Sequence, residues 1–250
     1  MATKLPAKLN KEPLIDALFE LRFNANSNFS ELVPGLLFAK LPGELELQRL
    51  PHAELPKAIR DQDPNLKYAS LVKISWGNYI IGLGDRSFTV SCALPYPGWN
   101  DFASAIATVM EAIKSTKMVQ SVVRYSLKYT DLIPAETIPE QLSKTTISVK
   151  IAGVEGELSG HTTLRTEVFE DGYIHILNIV TSANAKMASG EKRTGLVIDV
   201  DSIKILEEIN FDEWLSDYQD ELNKIHAANK DMFFKCITED TLESLEPTYD

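Results

Sequence analysis

No run in this chain approaches the roughly 18 consecutive apolar residues of a membrane-spanning helix. A long apolar window, Leu32 to Leu41, is broken by Pro34, Gly35 and Lys40. Met1-Ala2-Thr3-Lys4-Leu5-Pro6 lacks the apolar core that a signal peptide needs, so a soluble, cytoplasmic protein with no membrane partner is expected. Cysteine is scarce: Cys92 and Cys236 lie far apart, each in an apolar stretch, and read as buried, reduced thiols. The histidines, His52, His161, His175 and His226, show no metal-motif spacing, and neither Cys is close enough to complete a zinc site. They read as structural or exposed, and no metal or cofactor is expected.

Glycine-rich phosphate loops are also lacking. Gly82-Leu83-Gly84-Asp85 misses the third glycine of a dinucleotide fingerprint and leads into a strand, so it reads as turn glycine. There is no Gly-x-Ser-x-Gly nucleophile elbow. Positive charge is in short supply, with 25 basic against 36 acidic residues and a net charge of −11. That balance argues against nucleic-acid binding, which needs a basic surface.

What is present is a chain of 250 residues, long enough to bury about 70% of its unfolded surface without disulfides. Hydrophobic periodicity organises it. From Leu14 to Asn24, Ile15, Ala17, Phe19, Leu21 and Phe23 form an apolar strand face opposite Leu14, Asp16, Leu18, Glu20 and Arg22. Ser30 is placed to cap a short helix through Leu41. Prolines then punctuate a loop-rich stretch, after which Leu66–Ser75, Tyr79–Gly84 and Ser87–Ala93 read as an antiparallel meander. Asn100 is the expected cap of a helix carrying Phe102, Ile106, Val109 and Ile113 on one stripe. Almost without a linker the period changes to 2 over Val122–Thr130, with Val123, Tyr125, Leu127 and Tyr129 on the core face.

The second half reads as a weak helix at Pro139–Lys144 followed by strands Thr145–Ala152, Gly160–Glu170, Tyr173–Ser182 and Thr194–Leu206. Asp171-Gly172 is a hairpin signal. Ser182–Glu191 reads as a polar loop. A long helix follows, opened by an Asn210/Glu213 capping box, with Trp214, Tyr218, Leu222, Ile225, Met232 and Phe233 as its stripe. From Thr238 onward the chain reads as a loosely attached acidic tail. The expected fold is α+β: antiparallel sheet backed by two long amphipathic helices, from pseudo-duplication of a strand–helix–meander–helix unit. The halves would be residues 1–120 and 121–250, packed as one compact unit.

Two constellations could carry chemistry. Arg124 and Lys128 project from the strand face opposite the apolar one, where an Arg could grip a carboxylate or phosphate bidentately. Asp199 and Asp201 share one face of a strand, about 7 Å apart, and could hold a divalent cation. Asp-x-Asp is a short pattern, however, and the expected role is structural: pairing with Arg124, Lys128 or Arg165 across the sheet, or bonding to the following turn. Glu207 to Asp250 is strongly acidic, either as a solvated helix face or as a surface for a basic partner protein.

Several short motifs resemble a sporadically distributed family of uncharacterised bacterial proteins of similar length. They are Glu12-Pro13-Leu14-Ile15-Asp16-Ala17 through Phe23; Gly98-Trp99-x-x-Phe102 with Val123-Arg124-Tyr125 and Leu132-Ile133-Pro134; and Ile198-Asp199, Leu222-Asn223-Lys224-Ile225-His226 and Phe233 to Glu239. After the Arg-Tyr pair the family favours an Asn, where this chain has Lys128-Tyr129-Thr130-Asp131. The resemblance implies no activity, cofactor or catalytic residue. Its patchy distribution implies accessory genes of defence or toxin–antitoxin type. The expected function is therefore a non-enzymatic interaction protein that binds a partner protein, with self-association left open. The other reading is an anion- or nucleotide-binding domain, metal-dependent if an enzyme, using Arg124, Lys128, Asp199 and Asp201.

Overall fold

A computed structural model describes residues 5–25, 29–148, 160–186 and 192–249. In chain order its elements are β1 (Lys8–Leu9), β2 (Leu14–Ala25), α1 (Phe29–Lys40), β3 (Leu45–Arg49), α2 (Lys57–Gln62), β4 (Val72–Trp76), β5 (Tyr79–Leu83), β6 (Ser87–Cys92) and α3 (Trp99–Lys114). There follow β7 (Val119–Pro134), α4 (Ile138–Ser143), β8 (Thr163–Glu170), β9 (Tyr173–Lys186), β10 (Lys192–Asn210), α5 (Phe211–Cys236), α6 (Glu239–Ser244) and β11 (Pro247–Thr248). Nine strands form an antiparallel sheet in the order β3-β4-β5-β6-β2-β7-β10-β9-β8, and β1 pairs with β11. The fold is α+β, and three strands precede each long helix: β4–β5–β6 before α3, β8–β9–β10 before α5.

The chain forms two compact units, neither continuous in sequence. One comprises Met1–Asp16, Lys128–Ser202 and His226–Asp250; the other, Ala17–Leu127 and Ile203–Ile225. In the second unit Phe19, Leu21 and Phe23 of β2 are fully buried, and β6 brings Phe88 opposite Leu21 and Val90 opposite Phe19. Ile81 and Leu83 of β5 continue that face. Helices α1 and α3 pack together, α1 against β5 and α3 against β6. Phe29, Val33 and Leu37 from α1 and Phe102, Ile106, Val109 and Ile113 from α3 complete the core. Both periods of the sequence, 2 in the strands and 3.6 in the helices, end in this layer.

In the first unit, Leu177 and Ile179 of β9 and Leu196, Ile198 and Val200 of β10 pack with Met232, Phe233 and Cys236 of α5. Asp171 and Gly172 join β8 to β9 with φ of 49° and 77°. Positive φ at both central positions is the turn whose twist suits a two-residue hairpin, and Asp-Gly meets it cheaply.

Several boundaries differ from the sequence reading. Ser30 lies inside α1, and its hydroxyl donates to Asp85 Oδ1 at 2.7 Å instead of capping the helix. Helix α3 starts at Trp99 through Gly98 at φ 102°, with no side-chain cap, so Asn100 falls in the first turn. The glycine's left-handed backbone sets that start. The strand expected from Leu66 begins at Val72, because Tyr68–Ser70 crosses the polar face of the sheet instead of joining it. Ser87 Oγ donates to the Tyr68 carbonyl at 2.7 Å, and a Cβ on Gly82 would run into Ser70 Oγ and Thr89 Oγ1. Gly82 is thus a strand residue kept small for close packing.

At Gly84 a Cβ would lie 2.6 Å from the Ala69 carbonyl oxygen. Gly84→Ala should therefore cost about 1–3 kcal/mol of stability in urea titration, the usual scale of overpacking; an unchanged midpoint would contradict the close approach.

Thr145 makes a single bridge to Ile237, residues 146–148 form no strand, and 149–152 of the strand expected there lie outside the described residues. Strand β9 runs on through Ser182 to Lys186, into the expected polar loop; residues 187–191 lie outside the described residues. The C-terminal segment is docked, not loose. Thr238 caps α6, Thr241 Oγ1 donates to the Lys144 carbonyl at 2.9 Å, and Lys11 meets Glu246 at 2.8 Å. Two short strands 240 residues apart, paired by backbone bonds such as Ala7 N to Thr248 O at 2.7 Å, close that end.

Candidate functional site

In the second unit, β2 turns Glu20 and Arg22 to the face opposite its phenylalanines, across from Thr89 and Ser87 of β6. Arg22 Nε donates to Glu20 Oε2 at 2.7 Å, and Arg124 Nη2 of β7 stands 3.6 Å from the same oxygen. Arg124 also donates to Ser126 Oγ at 3.5 Å, and the Arg22 guanidinium lies 4.4 Å over the Tyr68 ring. Two guanidiniums therefore share one carboxylate on a half-buried polar face. Arg22 and Glu20 were not singled out in the sequence. The strand alternation had placed them on this face, but not beside Arg124.

In the first unit, Lys128 Nζ meets Asp199 Oδ2 at 2.7 Å, one of the pairings expected. Arg165 instead reaches Glu167, two residues along β8, at 3.3 Å. Asp199 is buried, and its Oδ1 has no hydrogen-bond partner. Asp201 lies half-buried two residues further along β10. Close by is a carboxyl that sequence reasoning missed: Asp131, between Thr130 and the fully buried Leu132. Burial, reinforced by the carboxylates of Glu12 and Asp199, pushes its pKa up to about 8. At pH 7 Asp131 is mostly protonated. Among the described residues no group of three or more His, Cys, Asp or Glu side chains is arranged to hold a metal ion.

A second polar cluster in the first unit joins His175, Ser202 and Asn229. His175 Nδ1 bonds Ser202 Oγ at 2.8 Å; Asn229 Nδ2 donates to the same hydroxyl at 2.9 Å and to the Val200 carbonyl at 2.8 Å. The His–Ser pair has the outline of a base and nucleophile. All three residues are at most 1% exposed, so no substrate reaches them, and burial holds the His175 pKa below its ordinary value. The network ties α5 to β10 and β9. His175 lies on the buried face of β9 with Tyr173 and Leu177, so it is structural and not exposed. His226 is also buried in part, stacks edgewise on Tyr129 at 6.0 Å, and is pulled down to a pKa of about 4 by burial and by Lys230.

Both cysteines are buried and in no disulfide, and burial pushes the Cys236 thiol up to about 11. A thiol reagent at pH 8 should therefore label neither cysteine in the native protein and both after denaturation. Rapid native labelling of Cys236 would overturn its placement.

On α5, Trp214, Leu215, Tyr218 and Leu222 face inward, and the outer face carries exposed Asp212, Glu213, Asp217 and Asp220. Asn210 Oδ1 accepts the Asp212 and Glu213 N–H groups at 2.9 and 3.3 Å, which is the Asn210 half of the expected capping box. Trp99 Nε1 donates to Asn223 Oδ1 at 2.9 Å, which joins two of the motifs that carry the family resemblance. No protein-family model matches the chain, and no curated protein matches it in sequence.

Proposed function

We propose that this chain is a non-enzymatic, cytoplasmic interaction protein that binds a basic partner protein through the outer face of α5. The observation that carries the reading is the exposed row Asp212, Glu213, Asp217 and Asp220 on a helix anchored from beneath by Trp214, Tyr218 and Leu222. Like charges held on a rigid helix steer an oppositely charged partner and set its register. The cations that sequence reading marked for chemistry support it from the other side, since Arg124 is engaged by Glu20 and Lys128 by Asp199. The resemblance to accessory bacterial genes makes the product of an adjacent gene the first partner to test. Size-exclusion chromatography of the two purified proteins should give a 1:1 complex. It should be lost in the triple variant Asp212→Lys, Asp217→Lys, Asp220→Lys, with the variant's thermal unfolding unchanged.

A second reading, anion or nucleotide binding, draws on the two guanidiniums around Glu20. A thermal-shift screen with nucleotides, with and without Mg²⁺, decides it. A shift that disappears in Arg124→Ala supports it; no shift, or one unchanged in that variant, removes it.

A further inference from the structure

Helix α1 is apolar on both sides. Its inner side, Phe29, Val33 and Leu37, is buried in the second unit's core. Its outer arc, Leu32, Gly35, Leu36, Phe38 and Ala39, is exposed, with Leu32 at 56%, Leu36 at 37% and Phe38 at 43%. A surface helix ordinarily turns charge to water, and one that is hydrophobic all round is ordinarily covered on all sides. Here the only charged residues of the helix stand near its ends, Glu31 at the start and Lys40 at the finish.

We infer that this face binds a second copy of the same chain, with the two α1 helices antiparallel about a two-fold axis between Gly35 and Leu36. That axis sets Leu36 of each copy against Gly35 of the other, and Leu32 against Ala39, so each large side chain meets a small one. An isologous contact requires such self-complementarity. Charge selects the antiparallel sense: the acidic end of one helix comes level with the basic end of the other, within about a Debye length, and the helix dipoles oppose. The parallel arrangement would set Glu31 beside Glu31 and Lys40 beside Lys40. Lys40 donates to Ser115 Oγ, which leaves its charge and two further N–H groups for this role. A contact between two 12-residue helices falls at the small end of interfaces, so the dimer is a reversible one.

Sedimentation equilibrium of the full chain from low micromolar to several hundred micromolar tests this. The mass should climb from 27.9 kDa toward twice that value. Leu36→Lys should stay monomeric throughout with unchanged circular dichroism, because Leu36 lies on the exposed arc of the helix. Glu31→Lys should weaken the dimer, and adding Lys40→Glu should restore it. A wild-type monomer at the highest concentration overturns the inference. So does a dimer indifferent to Leu36→Lys, or a Leu36→Lys defect confined to binding a different protein.

Discussion

Asp131→Asn should make the protein more stable above pH 8, by on the order of 5 kcal/mol, and leave it nearly unchanged at pH 4. The reason is the proton that the folded state holds. Asp131 titrates at about 8 when folded and near 3.8 when unfolded. Between those values the native chain binds more protons than the unfolded one, so stability falls as pH rises through the window. Each unit of difference is worth about 1.4 kcal/mol. Asparagine matches the neutral acid in shape and cannot ionise, so it removes the penalty. His226 acts with the opposite sign: its folded pKa of about 4 lies below the ordinary 6.5, so it costs stability as pH falls from 6.5 to 4. The two slopes oppose each other below pH 6.5 and partly mask one another in the wild type. The difference between wild type and Asp131→Asn, measured by urea titration at half-unit steps, isolates the carboxyl. A difference constant with pH would mean that Asp131 is not the group that holds the proton.

The second large effect lies in the other unit. Asp85 accepts from Arg60 Nη2 and from Ser30 Oγ, both at 2.7 Å, and Arg60 also donates to the Leu55 carbonyl. Arg60 and Asp85 are each at most 9% exposed. Burial alone would raise the Asp85 pKa; the bonds from Arg60 and Ser30 more than offset it and hold the carboxyl below its ordinary value. Asp85→Ala should cost about 3–5 kcal/mol at pH 7, because it strands a buried guanidinium. The loss should shrink as pH falls from the ordinary carboxylate range through the lowered pKa of the folded Asp85, because the unfolded chain then binds the proton more readily than the folded one. The double variant Arg60→Met, Asp85→Leu should recover most of the stability, since no buried charge remains. If Asp85→Ala costs less than about 1 kcal/mol, the pair is a solvated one and the structural role assigned to it is wrong.

Local pattern made much of the fold legible. The phenylalanine face of β2, the Asp171-Gly172 hairpin and the stripe from Trp214 to Phe233 on α5 each announce themselves within a single element or turn, because burial repeats with the element's own period. What sequence reading missed acts at long range. Asp85 looked like a turn residue because its partners, Ser30 and Arg60, stand 55 and 25 positions away. The closing pair β1–β11 joins residues 240 positions apart, and β3 is a short edge strand with only Leu45 and Leu47 to mark it. Of the four candidate site residues, Lys128 and Asp199 meet within one unit, whereas Arg124 belongs to the other and pairs with Glu20. Alternation could give each residue's face but not the register between strands, and register decides which charges touch. Asp131 stood unmarked because its pKa depends on burial and on Glu12, more than a hundred residues away.

The proposal that α5 docks a basic partner protein is tested most directly by calorimetric titration of the adjacent gene's product into this chain at low and at physiological salt. The binding should saturate and weaken as salt rises, with a drop of at least about tenfold in affinity for the Asp212→Lys, Asp217→Lys, Asp220→Lys variant. Binding that is indifferent to both salt and the charge reversal would contradict it.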